Sequence, residues 1–122
     1  MGKHVLLVED EPNILEAMRF ILSRDGWQVS AHSEGTGAVE AIHAATPDVV
    51  VLDVMLPGRS GFEILQDLRA DARTRGLPVL MLTAKSQARD RELAERYGAS
   101  QFLTKPFSNT EVLASVRALA GA

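Results

Sequence analysis

Four short stretches of this 122-residue sequence close an apolar run with a group able to handle a phosphate or a metal ion. They are Val8-Glu9-Asp10-Glu11, Leu52-Asp53, Leu82-Thr83-Ala84 and Leu103-Thr104-Lys105-Pro106. Glu9, Asp10 and Asp53 gathered in one cleft would repel, because like charges a few ångströms apart raise one another's pKa. A bound cation would offset that repulsion. Hard oxygen ligands suit Mg²⁺, which keeps several waters and takes one or two carboxylates together with phosphate oxygens. Lys105 by its charge and Thr83 by its hydroxyl could then hold the phosphate. Each residue taken singly has a plainer reading. Glu9 or Asp10 would serve as a helix cap or first-turn acid, Asp53 as a turn former, Thr83 as a β-branched strand residue, and Lys105 as a solvated loop charge. Only their joint placement favours chemistry.

That placement depends on the elements carrying them. Short apolar runs predict five strands: His4 to Val8, Gln28 to Ala31, Asp48 to Leu52, Pro78 to Leu82 and Gln101 to Leu103. Apolar residues at three- and four-residue spacing predict helices between them, through Ile14, Leu15, Met18, Ile21 and Leu22, through Ala38, Val39 and Ile42, and through Phe62, Leu65 and Leu68. A last helix through Val112, Leu113, Val116 and Leu119 follows Ser108 with Glu111 three residues on, the spacing of a capping box. Turn residues fall between them, at Asp25-Gly26, Thr46-Pro47, Pro57-Gly58, Gly76-Leu77-Pro78 and Tyr97-Gly98. The alternation βαβαβαβαβα implies a parallel sheet covered on both faces, since each parallel connection needs a right-handed crossover. Such sheets bind ligands at the carboxyl ends of their strands, where all four sets lie.

Composition narrows the function classes. One domain over residues 1–122 is expected from the length. Sixteen acidic against 13 basic residues give a formal charge of −3, the wrong sign for a phosphate-backbone binder, so no direct nucleic-acid contact is expected. Cysteine is absent, which excludes disulfides and thiolate metal sites. No run approaches the roughly 20 apolar residues that span a bilayer, and no signal-peptide pattern opens the chain. A cytoplasmic protein without membrane contact is the expectation. His4, His32 and His43 are read as structural, at a strand start, a loop edge and a polar helix face. Trp27 is read as a rim residue packing against a helix.

The four stretches, extended to Val8-Glu9-Asp10-Glu11-Pro12, Val51-Leu52-Asp53-Val54-Met55-Leu56-Pro57-Gly58, Met81-Leu82-Thr83-Ala84-Lys85 and Leu103-Thr104-Lys105-Pro106-Phe107, resemble the signature segments of the receiver domain of two-component response regulators. The match runs from Lys3 to Leu119. The resemblance implies a CheY-like, flavodoxin-like (βα)5 doubly wound α/β sandwich with strand order 2-1-3-4-5. It implies Asp53 as phosphoacceptor from a sensor histidine kinase or a histidine phosphotransfer protein. Asp10, Asp53 and the Met55 carbonyl would ligate Mg²⁺, or Mn²⁺ in its place, with Glu9 acting through a metal-bound water. Thr83 and Phe102 would form the switch, and Lys105-Pro106 would carry a cis peptide bond. Signalling would pass through the face made by the fourth helix, fifth strand and fifth helix. Met55 and Lys85, each two residues beyond Asp53 or Thr83, would flank the path of a hydrolytic water. Neither is a carboxylate or an amide, so a long-lived aspartyl phosphate is expected.

The sequence departs from the family in its dimer-forming charge network. Arg91 and Glu111 could supply one pair, but Ser100 and Gln101 stand where acids are expected, and Ser115 and Ala122 where bases are. A monomer or a weak phosphorylation-dependent dimer is therefore expected. With no helix-turn-helix before Ala122, the output partner or domain would lie outside this sequence. An aspartate-nucleophile phosphatase would want a second carboxylate where Met55 stands. A flavin-binding module would want a Ser/Thr-rich phosphate loop after the first strand, and a pseudo-receiver would lack the intact acids.

Overall fold

The computed structural model describes residues 3–83 and 88–121. Five strands and five helices alternate: β1 (His4–Val8), α1 (Pro12–Arg24), β2 (Gln28–His32), α2 (Ala38–Ala45), β3 (Val49–Asp53), α3 (Gly61–Ala70), β4 (Val79–Thr83), α4 (Ala88–Arg96), β5 (Gln101–Thr104) and α5 (Asn109–Leu119). All strand pairs are parallel, in the order β2-β1-β3-β4-β5. Sheet order and flavodoxin-like architecture agree with the expectation.

Alternation along the strands divides the interior into two cores. Val5, Leu7, Val49, Val51, Leu80 and Leu82 pack with Met18 and Leu22 of α1 and Val112 and Val116 of α5. Leu6, Val8, Val50, Leu52, Val79 and Met81 pack with Ile42 of α2, Ile64, Leu65 and Leu68 of α3, and Ala94 of α4. Residues on both faces of the central strands are buried, which is why those strands read as unbroken Val/Leu runs.

The strand ends differ from the expectation in a way that bears on the site. β3 and β4 each start and finish one residue later than expected, so Asp53 and Thr83 are the last residues of their strands. The backbone ladder outruns the apolar residues: Val54 donates to the Leu82 carbonyl at 3.0 Å and Lys105 to the Thr83 carbonyl at 2.8 Å. At the other end Pro78 has no N–H to give. β2 likewise runs on to His32, which is a strand residue rather than a loop edge, and β5 to Thr104. His43 is half-buried in α2, its Nε2 3.5 Å from the Asp71 carboxylate. Trp27 packs partly buried against the α1 and α5 core and donates to Asp25 at 3.1 Å.

Caps fix where the helices begin. Ser108 and Glu111 form the expected capping box on α5, and Ser60 with Glu63 form a second one on α3. α4 showed no apolar spacing because six of its nine residues are charged and only Ala94 is buried. Among the described residues no helix is long and apolar enough to cross a membrane.

Candidate functional site

The carboxyl ends of β1 and β3 bring Glu9, Asp10 and Asp53 together, with one carboxylate oxygen of each within 4.8 Å of the others. Their surroundings differ. Glu9 is fully buried and Asp53 is 2% exposed, whereas Asp10 faces solvent. The Glu9 carboxyl is pushed up to about 7, first by burial and then by the charge of Asp53; the Glu11 N–H and the Lys105 charge pull it the other way without cancelling the rise.

Lys105, on the loop after β5, supplies the counter-charge. Its Nζ donates to Asp53 Oδ2 at 3.0 Å and to Glu11 Oε1 at 3.0 Å, and lies 3.3 Å from Glu9 Oε1. Burial alone would lower the ammonium's pKa. The hydrogen bonds to Glu11 and Asp53, with the charges of Asp53 and Glu9, outweigh that and hold it well above the ordinary lysine value. The Lys105-Pro106 peptide bond is cis, as expected. One ammonium facing three acids leaves an excess of negative charge. Glu9 Oε1 is also a buried oxygen without a hydrogen bond. Such a donor set, hard oxygens with unspent negative charge, fits a divalent cation.

The remaining expected residues surround this cluster. Met55 donates its N–H to Asp53 Oδ1 at 3.3 Å, and its side chain is 71% exposed. Thr83 is fully buried at the end of β4, its hydroxyl directed to the Leu103 carbonyl at 3.4 Å. Phe102 on β5 is partly buried, and the Arg91 guanidinium sits 4.8 Å from its ring centroid. Glu111 is engaged in the α5 capping box. Ser100 accepts from the Val79 N–H at 3.0 Å, and Ser115 is buried. Lys85 and Ala122 lie outside the described residues.

Glu11 was not picked out as a site residue from sequence. It was visible only as a third acid in a run, and its role depends on where a lysine 94 positions away comes to rest.

The sequence matches the family described as "Response regulator receiver domain" over residues 5–117. The chain belongs to the response regulator receiver domain family. Its relatives extend the same picture. It is 44% identical over 115 residues to the probable transcriptional regulatory protein TcrX of Mycobacterium tuberculosis, a match covering 94% of this chain and 48% of that protein. The chain thus spans about half the length of this relative. The receiver domain of the sensor histidine kinase PA1611 from Pseudomonas aeruginosa, a structure with a magnesium ion in its active-site cleft, superimposes with a TM-score of 0.90 at 29% identity, covering 100% of both chains. The chemotaxis response regulator CheY4 of Vibrio cholerae gives a TM-score of 0.90 at 27% identity, over 98% of this chain and 99% of that one. As a receiver domain of two-component signalling, the chain is a signalling module.

Proposed function

We propose that this receiver domain, a single unit over residues 1–122, is a phosphoacceptor switch, phosphorylated on Asp53 by a sensor histidine kinase or a histidine phosphotransfer protein. The observation that carries the reading is the pairing of a buried Asp53 with Lys105 beside two further acids. A carboxylate held at the end of a rigid strand is positioned to attack phosphorus in line. The bond formed joins Asp53 oxygen to phosphorus; the bond broken is from phosphorus to the donor's imidazole nitrogen, which keeps the electron pair.

Asp10, Asp53 and the Met55 carbonyl would hold Mg²⁺, with Glu9 acting through a water. When bound, the ion supplies charge stabilisation to the transferring phosphoryl group. Lys105 moves from the free carboxylate to a phosphoryl oxygen, and the Thr83 hydroxyl takes another. Phe102 and Thr83 then carry the change to the α4-β5-α5 face, a two-state equilibrium biased by local charge. Met55 and Lys85 set how fast water reaches the phosphorus. The domain works in the cytoplasm as a monomer or a weak phosphorylation-dependent dimer, and it passes its signal to a protein surface or an output domain.

Incubation with acetyl phosphate and Mg²⁺, followed by intact mass, tests the reading. We expect a phosphoryl adduct that requires Mg²⁺ and is lost in Asp53→Ala; an adduct of equal yield in that variant contradicts it.

A further inference from the structure

The loop between β3 and α3, which carries Met55, is pressed on its outer side by the loop between β2 and α2. Gly35 donates its N–H to the Pro57 carbonyl at 2.8 Å. A Cβ on Gly35 would collide with the Arg59 carbonyl oxygen and would lie 2.8 Å from the Arg59 carbonyl carbon and nitrogen. From the opposite loop, a Cβ on Gly58 would collide with Thr36 Oγ1 and lie 3.2 Å from Thr36 Cβ. Thr36 is fixed in turn, its carbonyl 2.8 Å from His32 Nε2 at the end of β2. The Gly35 contact is backbone against backbone, so no side chain can yield there.

The Met55 side chain is exposed and anchors nothing itself. Its neighbours Val54 and Leu56 hold the inner side of the loop, Val54 buried in the core and Leu56 packed against it. The Met55 N–H bond to Asp53 and the bond from Gly61 N–H to the Val54 carbonyl at 2.9 Å fix the strand side of the loop. The outer side is fixed by Pro57, Gly58 and Arg59, the residues that meet Gly35 and Thr36, and by the Arg59–Asp67 ion pair at 2.8 Å. We propose that residues 33–37 brace the β3–α3 loop so that the Met55 carbonyl is presented to the metal, with Gly35 as the positioning residue. The inference rests on the metal reading above. Mg²⁺ tolerates little departure from octahedral geometry at short ligand distances, so a shifted carbonyl would weaken binding.

Gly35 is suited to a test because its backbone lies outside the left-handed region. Gly35→Ala therefore adds the collision without strain in its own φ. Gly37→Ala strains its own backbone, at φ +80, but its Cβ would meet nothing nearer than the His32 ring at 3.6 Å. Gly76→Ala meets nothing within 4 Å. Mg²⁺ titrations of the four proteins, followed by amide chemical shifts, should give about tenfold weaker binding for Gly35→Ala. The Gly76→Ala variant should bind as wild type does, and Gly37→Ala should lose less than Gly35→Ala. If Gly35→Ala does not fold, wild type decides: the Gly35 and Met55 amides should shift along one isotherm. Undiminished affinity in Gly35→Ala, an equal loss in Gly37→Ala, or a silent Gly35 amide while Met55 shifts, each overturns the brace. A wild-type protein with no Mg²⁺-dependent shift at Asp10, Asp53 or Met55 overturns the metal reading itself, and the brace with it.

Discussion

Glu9 and Lys105 hold opposite ends of one electrostatic balance. Glu9 brings a buried charge beside Asp53, which costs free energy unless something neutralises it. Glu9→Gln should therefore raise the stability of the metal-free protein by about 1 kcal/mol and reduce the further stabilisation that Mg²⁺ gives. Thermal unfolding with and without Mg²⁺ checks both signs. Lys105→Ala should do the reverse, destabilising the metal-free protein by about 1–3 kcal/mol because it leaves buried acceptors unpaired. Mg²⁺ should recover part of that loss. Met55 offers no group to orient water, so Met55→Asn should shorten the lifetime of the aspartyl phosphate; a decay in Mg²⁺ buffer no faster than wild type contradicts that role. At this scale the acids were legible from residue type and strand-end placement. Glu11 was not, because its contact with Lys105 exists only once β1 and β5 are set in one sheet.

The helices were legible in proportion to the apolar face each buries. α1, α2, α3 and α5 show the spacing in sequence; α4 buries Ala94 alone and does not. The capping box on α5 was read from Ser108 and Glu111, and Ser108→Ala should cost about 1 kcal/mol in chemical denaturation. The tie between α1 and α5 was not legible. Arg117 in the last turn of α5 donates to Asp25, the cap of α1, through Nε at 3.0 Å and through Nη2. Hydrogen bonding from Arg117, and then from Trp27, holds the Asp25 carboxyl below its ordinary pKa despite the opposing effect of desolvation. A depressed carboxylate contributes stability above the unfolded-state pKa, about 3.9, and loses it as pH falls through the lower folded value. The stability difference between wild type and Asp25→Asn should therefore hold from pH 7 to about 4 and close below that. A difference unchanged at pH 2 contradicts the assignment.

At the scale of the whole molecule, the parallel sheet gathers at its carboxyl edge residues that are far apart in sequence: Glu9 and Asp10 just after β1, Asp53 from β3, Thr83 from β4 and Lys105 after β5. That gathering was legible because a parallel sheet and its ligand-binding edge follow from the βα alternation, while the strand order was implied by the family resemblance. The meeting of the 33–37 and 54–60 loops was not, since it turns on how two connections lie against each other. On the proposed reading, this edge would join acceptor, metal ligands and switch, and a change of charge at Asp53 would pass to Thr83 and from there to the α4-β5-α5 face. All of it depends on Asp53 being the atom-donating nucleophile. Borohydride reduction of the acetyl phosphate-treated protein converts an aspartyl phosphate to homoserine, which peptide mass mapping locates. Homoserine at position 53 alone, formed only with Mg²⁺, is the expected result; homoserine at another acid, or none in a protein that carries a phosphoryl adduct, contradicts it.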